Sequence, residues 1–571
     1  MGEDPDMANG TIPGTQHAIQ LVGPGKLTHN QSKEVRMPGR HQILAKVEAV
    51  GLCFSDLKLL KQFSQHARKG EVLQGIEREV LGEIPSYVPG DKPTVPGHEV
   101  VCTIVAIGDQ VRRHSVGERC LVQTDYRTLL TAGSNAAFGY NFEGGLQEYV
   151  LMDERVIIDP ANHERFLIPV DRELSASAVA LVEPWACVEN SYANPERKGL
   201  RPGGRLLVVI EDDHEAQGLQ ELVERGKPAS VTAVCQSEHQ RGKLRGLGVP
   251  WEHVQSPSDL PGESFDDIIY FGARKPAIET LNDKLAAGGI INLVTGGRRI
   301  GEPVSVGVGR VHYGMTRWIG NHGLRASDSY LPIPEKCEIR SGEEVAVIGA
   351  AGPMGQMHVI RALCLDVHGI SLVCTDVDNA RLEALRIKAM PLSEKRARPL
   401  RFLNTREDPL AGSYSYFILL VPAAALVAEA IAHSRSGCLI NIFAGIPAAT
   451  RQELDLDTYI ANRCYMFGTS GSVIRDMEIV LDRLCSGQLD TNISVDAISG
   501  MAGAVRAIAA VENRSLAGKI IVYPSLHDVG LISLAELDRH FPQVGRKLDR
   551  GRWTRAAEEE LLKSAATGSA A

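Results

Sequence analysis

Between residues 18 and 117 the apolar positions come in short runs that alternate with polar ones. Examples are Gln42-Ile43-Leu44-Ala45-Lys46-Val47-Glu48-Ala49-Val50 and the stretch 99–107, with turn residues between. Period-two alternation with no helical stretch between the runs predicts short antiparallel strands, hence a barrel-like β domain, which residues 119–152 continue. Residues 172–193 have helical character. After Arg201 the rhythm changes. Unbroken apolar runs at 206–210, 230–235, 268–271 and 290–294 alternate with segments of helical spacing. That is the pattern of a βαβ series, whose strands are buried on both faces of a parallel sheet.

The series then repeats. Arg340-Ser341-Gly342-Glu343-Glu344 echoes Arg201-Pro202-Gly203-Gly204-Arg205, and Gly437-Cys438-Leu439-Ile440-Asn441-Ile442 echoes Gly288-Gly289-Ile290-Ile291-Asn292-Leu293. Phe467-Gly468-Thr469-Ser470-Gly471 likewise echoes Ile319-Gly320-Asn321-His322-Gly323. Three collinear echoes predict a duplication: two tandem α/β domains of doubly wound parallel-sheet type, 201–325 and 340–489, joined by a proline-bearing linker at 326–339. Strands return over 490–525, and 526–571 reads as a charged helical tail.

Composition narrows the function without naming it. The chain has 571 residues, 44% apolar and 23% charged, enough for several ordinary globular domains. A formal net charge of −9 with no basic concentration argues against nucleic acid and anionic membrane as partners. No apolar run reaches the ~18 residues of a membrane span. Residues 1–17 are polar, carry Gly and Pro, and lack the apolar centre of a signal peptide, so they are expected to be disordered. Eleven cysteines without a Cys-x-x-Cys pair point to a reducing compartment, and the chain reads as cytoplasmic.

The candidate chemistry lies in three short segments of the first 200 residues: Gly51-Leu52-Cys53-Phe54-Ser55-Asp56, Val95-Pro96-Gly97-His98-Glu99-Val100-Val101 and Val182-Glu183-Pro184-Trp185-Ala186-Cys187. A thiolate, an imidazole and carboxylates are the donors of a borderline-soft ion such as Zn²⁺, and a catalytic zinc keeps an open position for water or substrate. Taken singly, Cys53 reads as core and Gly-His-Glu as a turn with a satisfied histidine. Their joint occurrence favours a metal site. The three segments resemble the catalytic-zinc signature of the medium-chain zinc alcohol/polyol dehydrogenases, in the sorbitol-dehydrogenase-like branch and nearest to its sorbose-phosphate reductases. That resemblance covers about residues 18–200 and 340–524. It implies a GroES-like catalytic domain over 18–200, completed by 490–525. It further implies Cys53, His98 and Glu99 as zinc ligands, with Glu183 as a movable fourth carboxylate. Asp56 would orient His98, and Ser55 would relay the substrate proton. Cys187, one turn from Glu183, reads as packing. One departure is plain. The family's structural zinc needs four closely spaced cysteines, whereas only Cys102 and Cys120 lie nearby and residues 123–142 contain none. One metal is therefore expected, without a structural zinc.

In the later α/β domain, Glu344-Val345-Ala346-Val347-Ile348 runs into Gly349-Ala350-Ala351-Gly352-Pro353-Met354-Gly355. A strand, a glycine-bearing turn and a helix start let backbone N–H groups meet a pyrophosphate. Gly352, Pro353, Met354 and Gly355 lead into a helix expected from Gln356, although Ala350 stands at the first glycine of the usual G-x-G-x-x-G pattern. The next strand ends in Asp376, a carboxylate about 20 residues on, which suits the ribose diol of NAD(H) and opposes a 2′-phosphate. Phe443, Ala444, Gly468 and Thr469 follow later strands and are expected beside the nicotinamide half. In the first copy Glu211-Asp212-Asp213-His214-Glu215 stands where the glycine turn would be, so that domain reads as degenerate. Hydride transfer between NAD(H) and a secondary alcohol of a polyol, sugar or sugar phosphate is the leading expectation. A threonine-type or other secondary-alcohol dehydrogenase is the rival within the class; a non-catalytic NAD(H)-sensing protein is the rival outside it. Lys58 is a phosphate candidate by position and otherwise a solvated helix lysine. The resemblance also implies a homo-oligomer, dimer or tetramer.

Overall fold

The computed structural model describes residues 12–211 and 214–566. They divide into two compact units, one formed by the chain up to Ala186 together with the chain from Ser472, the other by Cys187–Gly471.

The first unit is built on an eight-stranded sheet. Its order is Ile532–Ser533, Val495–Ser499, Lys519–Val522, Gln42–Gly51, Glu99–Ile107, Arg119–Val122 and Leu167–Pro169, with Tyr149–Asp153 also pairing to Gln42–Gly51. Neighbours are antiparallel except Val495–Ser499 with Lys519–Val522. The register sets Gly51 opposite both Glu99 and Ile521, so the strand that precedes Cys53 lies between the strand that opens at Glu99 and the strand that opens at Lys519. Cys102 and Cys120 face each other across Glu99–Ile107 and Arg119–Val122, buried in the sheet. Regular structure is already present before the sequence boundary at residue 17. Strand Thr15–Gly23 pairs with Lys26–Glu34, and Gln16 is buried and donates to Tyr149 O at 3.0 Å. Residues 1–11 lie outside the described residues.

The second unit holds two six-stranded parallel sheets, each with a Rossmann-like order. The first runs Trp251–His253, Ser230–Val234, Arg205–Ile210, Phe265–Phe271, Leu285–Val294, Arg317–Asn321; the second runs Leu400–Asn404, Ser371–Asp376, Glu344–Ile348, Tyr414–Leu419, Ser434–Ile442, Tyr465–Phe467. The chain is thus an α/β protein: a GroES-like, mainly antiparallel domain plus two tandem Rossmann-like domains. The two Rossmann-like domains meet each other. Short strand Val304–Val306 of the first pairs antiparallel with Gln452–Leu454 of the second. One buried cluster joins Leu207, Tyr270, Ile291 and Trp318 of the first copy to Phe417, Ile440, Tyr459 and Met466 of the second. The Tyr459 hydroxyl seals the junction by donating to Trp318 O at 2.9 Å.

Two segments differ from their sequence reading. Residues 326–339 are partly packed, with a 3-10 turn Ala326–Tyr330 and Ile333, Cys337 and Ile339 buried, while Leu331 is exposed. The tail is not wholly helical. It first adds strand Ile532–Ser533 to the sheet, then forms helices Leu537–His540, Pro542–Gly545 and Arg555–Ala566.

Candidate metal centre and dinucleotide turn

Cys53 caps helix Phe54–Gln62, and Asp56, three residues into it, accepts the Cys53 backbone N–H through Oδ2 at 3.1 Å. This is the carboxylate half of a capping box. It leaves Asp56 Oδ1 free for His98 Nδ1 at 2.9 Å. His98 Nε2 then points at Ser55 Oγ, 3.1 Å away, and that hydroxyl donates to Cys53 Sγ at 3.1 Å. Cys53, His98 and Glu99 each offer a donor atom, and the three lie within 4.8 Å of one another.

Glu99 has no exposure, and its Oε1 accepts from the Lys519 ammonium. Its Oε2 is buried without a partner among the described residues. A Cβ on Gly51 would fall 2.1 Å from that oxygen, so only glycine leaves the space. A carboxylate oxygen sealed from water without a hydrogen-bond partner costs about 1–3 kcal/mol unless a cation or donor takes it up.

The field of the pocket has the same sign. Burial alone would lower His98, yet the Asp56 carboxylate outweighs it and holds the ring well above its ordinary range. Burial likewise opposes the Lys519 charge, and Glu99 followed by Cys53 raises it. Glu183, buried at the start of helix Val182–Ala193, is pushed up to about 7 chiefly by burial, with His98 opposing and Glu99 reinforcing. His98, Lys519 and Glu183 are each biased toward holding a proton. The donor set and the orphaned Glu99 oxygen fit a divalent ion of Zn²⁺ type. Tyr140, absent from the sequence reading, is buried beside the pocket with its ring 5.9 Å from that of His98.

In the second unit, strand Glu344–Ile348 leads to Gly349, at φ 81°, and helix Pro353–Cys364 opens with Pro353 at its first position. Gly349 N and Ala350 N donate to Thr375 O at 3.0 and 2.8 Å. A Cβ on Gly355 would meet Gly349 O and Ala350 O at 2.5 Å, so the helix passes too close to the turn for any side chain. Asp376 ends strand Ser371–Asp376, and its carboxylate accepts from Ala351 N at 3.2 Å and Val377 N at 2.8 Å. The Arg381 guanidinium lies against Gly352, 3.2 Å from where a Cβ would stand, with its Nε buried and unpartnered among the described residues. Phe443 follows strand Ser434–Ile442 and meets the ring of His358 at 4.5 Å; Ala444 N donates to Leu419 O at 2.9 Å. Gly468 O accepts from Arg317 at 3.3 Å, and Thr469 is buried with Oγ1 unpartnered among the described residues.

A model of the alcohol dehydrogenase GroES-like domain matches residues 39–161. The chain is 26% identical over 290 residues to the uncharacterized protein YggP of Escherichia coli, covering 44% of this chain and 65% of that one. It is 26% identical over 292 residues to mannitol-1-phosphate 5-dehydrogenase of Aliivibrio fischeri, covering 46% and 64%. By these matches residues 39–161 are similar to an alcohol dehydrogenase GroES-like domain, and somewhat under half of the chain is similar to curated relatives that include a polyol-phosphate dehydrogenase. The match spans less than two thirds of the length of those two relatives. A solved Escherichia coli oxidoreductase/dehydrogenase of unknown specificity aligns with 89% of this chain and 99% of its own, at 15% identity and TM-score 0.48.

In the first Rossmann-like domain the place of the glycine turn is filled by side chains. The Glu211 carboxylate accepts from the Tyr270 hydroxyl and from Arg274 at 2.6 Å, and a Cβ on Gly296 would strike the His214 ring at 2.9 Å. Asp212 and Asp213 lie outside the described residues. Lys519, Tyr140 and Arg381 were missed from sequence. The first alone left a signal, a lone lysine opening the apolar run Lys519-Ile520-Ile521-Val522. Lys58 is exposed on helix Phe54–Gln62, and Cys187 is half-buried on the helix that carries Glu183.

Proposed function

We propose that the chain is a zinc-dependent oxidoreductase that moves a hydride between NAD(H) and a secondary alcohol or ketone carbon of a polyol, sugar or sugar phosphate. The observation that carries this reading is the buried Cys53–His98–Glu99 cluster with an unpaired Glu99 oxygen. Those three residues would hold one Zn²⁺, with Glu183 as an exchangeable fourth carboxylate. When bound, the ion polarises the substrate oxygen and lowers the alcohol pKa. Asp56 fixes the His98 tautomer through Nδ1, so that Nε2 presents its lone pair to the ion. The Ser55 hydroxyl, within 3.1 Å of both Cys53 Sγ and His98 Nε2, is at hand to take the alcohol proton and pass it on. Tyr140, its ring 5.9 Å from that of His98, would border the pocket.

The glycine turn and helix start at residues 349–355 would bind the pyrophosphate of NAD(H). Asp376 would turn one oxygen to the adenosine ribose, and Arg381 would lie along the adenine side. Phe443, Ala444, Gly468 and Thr469 would border the nicotinamide half. The polyol preference is supported by the mannitol-1-phosphate dehydrogenase among the relatives.

The experiment is NADH formation by the purified chain with polyols, ketose phosphates and L-threonine, with metal content measured in parallel. Activity on a polyol or its phosphate is expected, lost on chelation and restored by zinc. Oxidation of L-threonine alone would replace the substrate assignment. A Cys53→Ala variant with full activity and full metal content would overturn the metal role.

A further inference from the structure

We propose that Lys519 is a positioning residue of the metal centre, holding one oxygen of Glu99 so that the other is presented to the ion in a single direction. The inference rests on the metal reading above and concerns a residue outside the donor cluster.

Lys519 opens strand Lys519–Val522, far along the chain from the residues it touches: it meets Glu99 across 420 residues of sequence and Leu52 across 467. Its Nζ donates to Glu99 Oε1 and, at 2.7 Å, to Leu52 O, the carbonyl next to Cys53. The ammonium therefore ties the segment carrying one metal donor to the side chain that supplies another. The third element is Gly51, whose missing Cβ opens the space filled by Glu99 Oε2. With Oε1 taken and Oε2 held open, Glu99 is arranged to bind through one oxygen.

Charge gives the second reason. Cys53 as thiolate, Glu99 and Glu183 together carry three negative charges against the two positive charges of a divalent ion, and Asp56 adds another behind His98. Lys519, itself buried, offsets one unit of that negative charge directly beside Glu99. Outer partners of metal ligands are typically worth 10–100-fold in metal affinity or activity.

The test uses the full chain loaded with zinc and, separately, with cobalt(II). In Lys519→Met, the metal dissociation constant from chelator competition is expected to rise about 10–100-fold. The cobalt ligand-field bands are expected to move as Glu99 re-seats, with the thiolate-to-cobalt band retained because Cys53 still binds. Lys519→Arg, which keeps the charge, is expected to stay within about tenfold of the parent chain by the same scale. It also serves as the readable variant should the methionine chain fail to fold. Unchanged affinity and spectrum in Lys519→Met, or tighter metal binding, would overturn the proposal, since the lysine would then be inert or merely repel the ion. Loss of metal in Lys519→Arg equal to that in a Cys53→Ala chain would overturn it as well. Absence of metal binding by the parent chain would instead remove the reading on which the proposal stands.

Discussion

At the scale of single residues, the chemistry depends on side chains that serve two partners at once. Asp56 accepts the Cys53 N–H with one oxygen and His98 Nδ1 with the other. An Asp56→Asn amide would have to turn a donor toward one of them. Metal affinity is expected to fall about 10–100-fold, measured by chelator competition, with the global fold unchanged by circular dichroism. Asp376 is similar: it braces Ala351 N of the glycine turn while standing where a ribose diol would be read. Asp376→Ala is expected to cut kcat/KM for NADH at least about tenfold while changing that for NADPH little or raising it, since the carboxylate that repels a 2′-phosphate is gone. A steady-state comparison of the two cofactors checks it. Equal losses on both would mean that the residue acts on the turn alone.

At the scale of elements, the C-terminal helix Arg555–Ala566 acquires a job that its composition does not advertise. It carries Glu558 into the unit, where the carboxylate accepts from Ser177 N at 2.8 Å, from Ala176 N at 2.5 Å and from the Tyr523 hydroxyl at 2.8 Å. Those N–H groups open helix Ala176–Ala180, which runs into the helix that begins beside Glu183. Trp553, fully buried, donates to Ser177 Oγ and Tyr523 Oη. Glu558→Ala leaves two buried N–H groups and a hydroxyl without their acceptor. It is expected to cost about 1–3 kcal/mol in urea unfolding. Trp553→Ala is expected to cost about 3–5 kcal/mol. A stability loss below 0.5 kcal/mol for both, on the scale of ordinary surface changes, would mean the tail only decorates the surface. The tail's polar helical face was legible in the sequence, whereas its anchor was not, because Ala176 and Ser177 lie more than 300 positions upstream.

At the scale of the whole molecule, the chain contains two Rossmann-like sheets, and among the described residues a glycine-bearing turn follows the strand Glu344–Ile348 of the second and not the strand Arg205–Ile210 of the first. Where Gly349 begins the turn of the second copy, Glu211 of the first copy is locked onto Tyr270 and Arg274. One NADH per chain is therefore expected by equilibrium dialysis, and Gly355→Ala is expected to abolish it, because its Cβ would overlap two carbonyl oxygens. Two NADH per chain would mean that the first copy also binds. Among the described residues, no helix is long and apolar enough to cross a membrane.

The amino-acid sequence by itself determined the kinds of element and the candidate chemistry. Alternation against unbroken apolar runs separated the antiparallel domain from the parallel sheets, since side-chain period follows from local backbone geometry. The donor types at Cys53, His98 and Glu99 and the spacing from Gly355 to Asp376 are likewise properties of short segments. The tertiary structure alone decided how these parts are finished. It set Lys519 against Glu99, opened the space over Gly51, anchored the tail through Glu558, and filled the first copy with Glu211 and His214. Each of these is a contact between residues far apart in the chain, fixed by sheet register and burial, and no local pattern of polarity encodes which distant side chain will arrive.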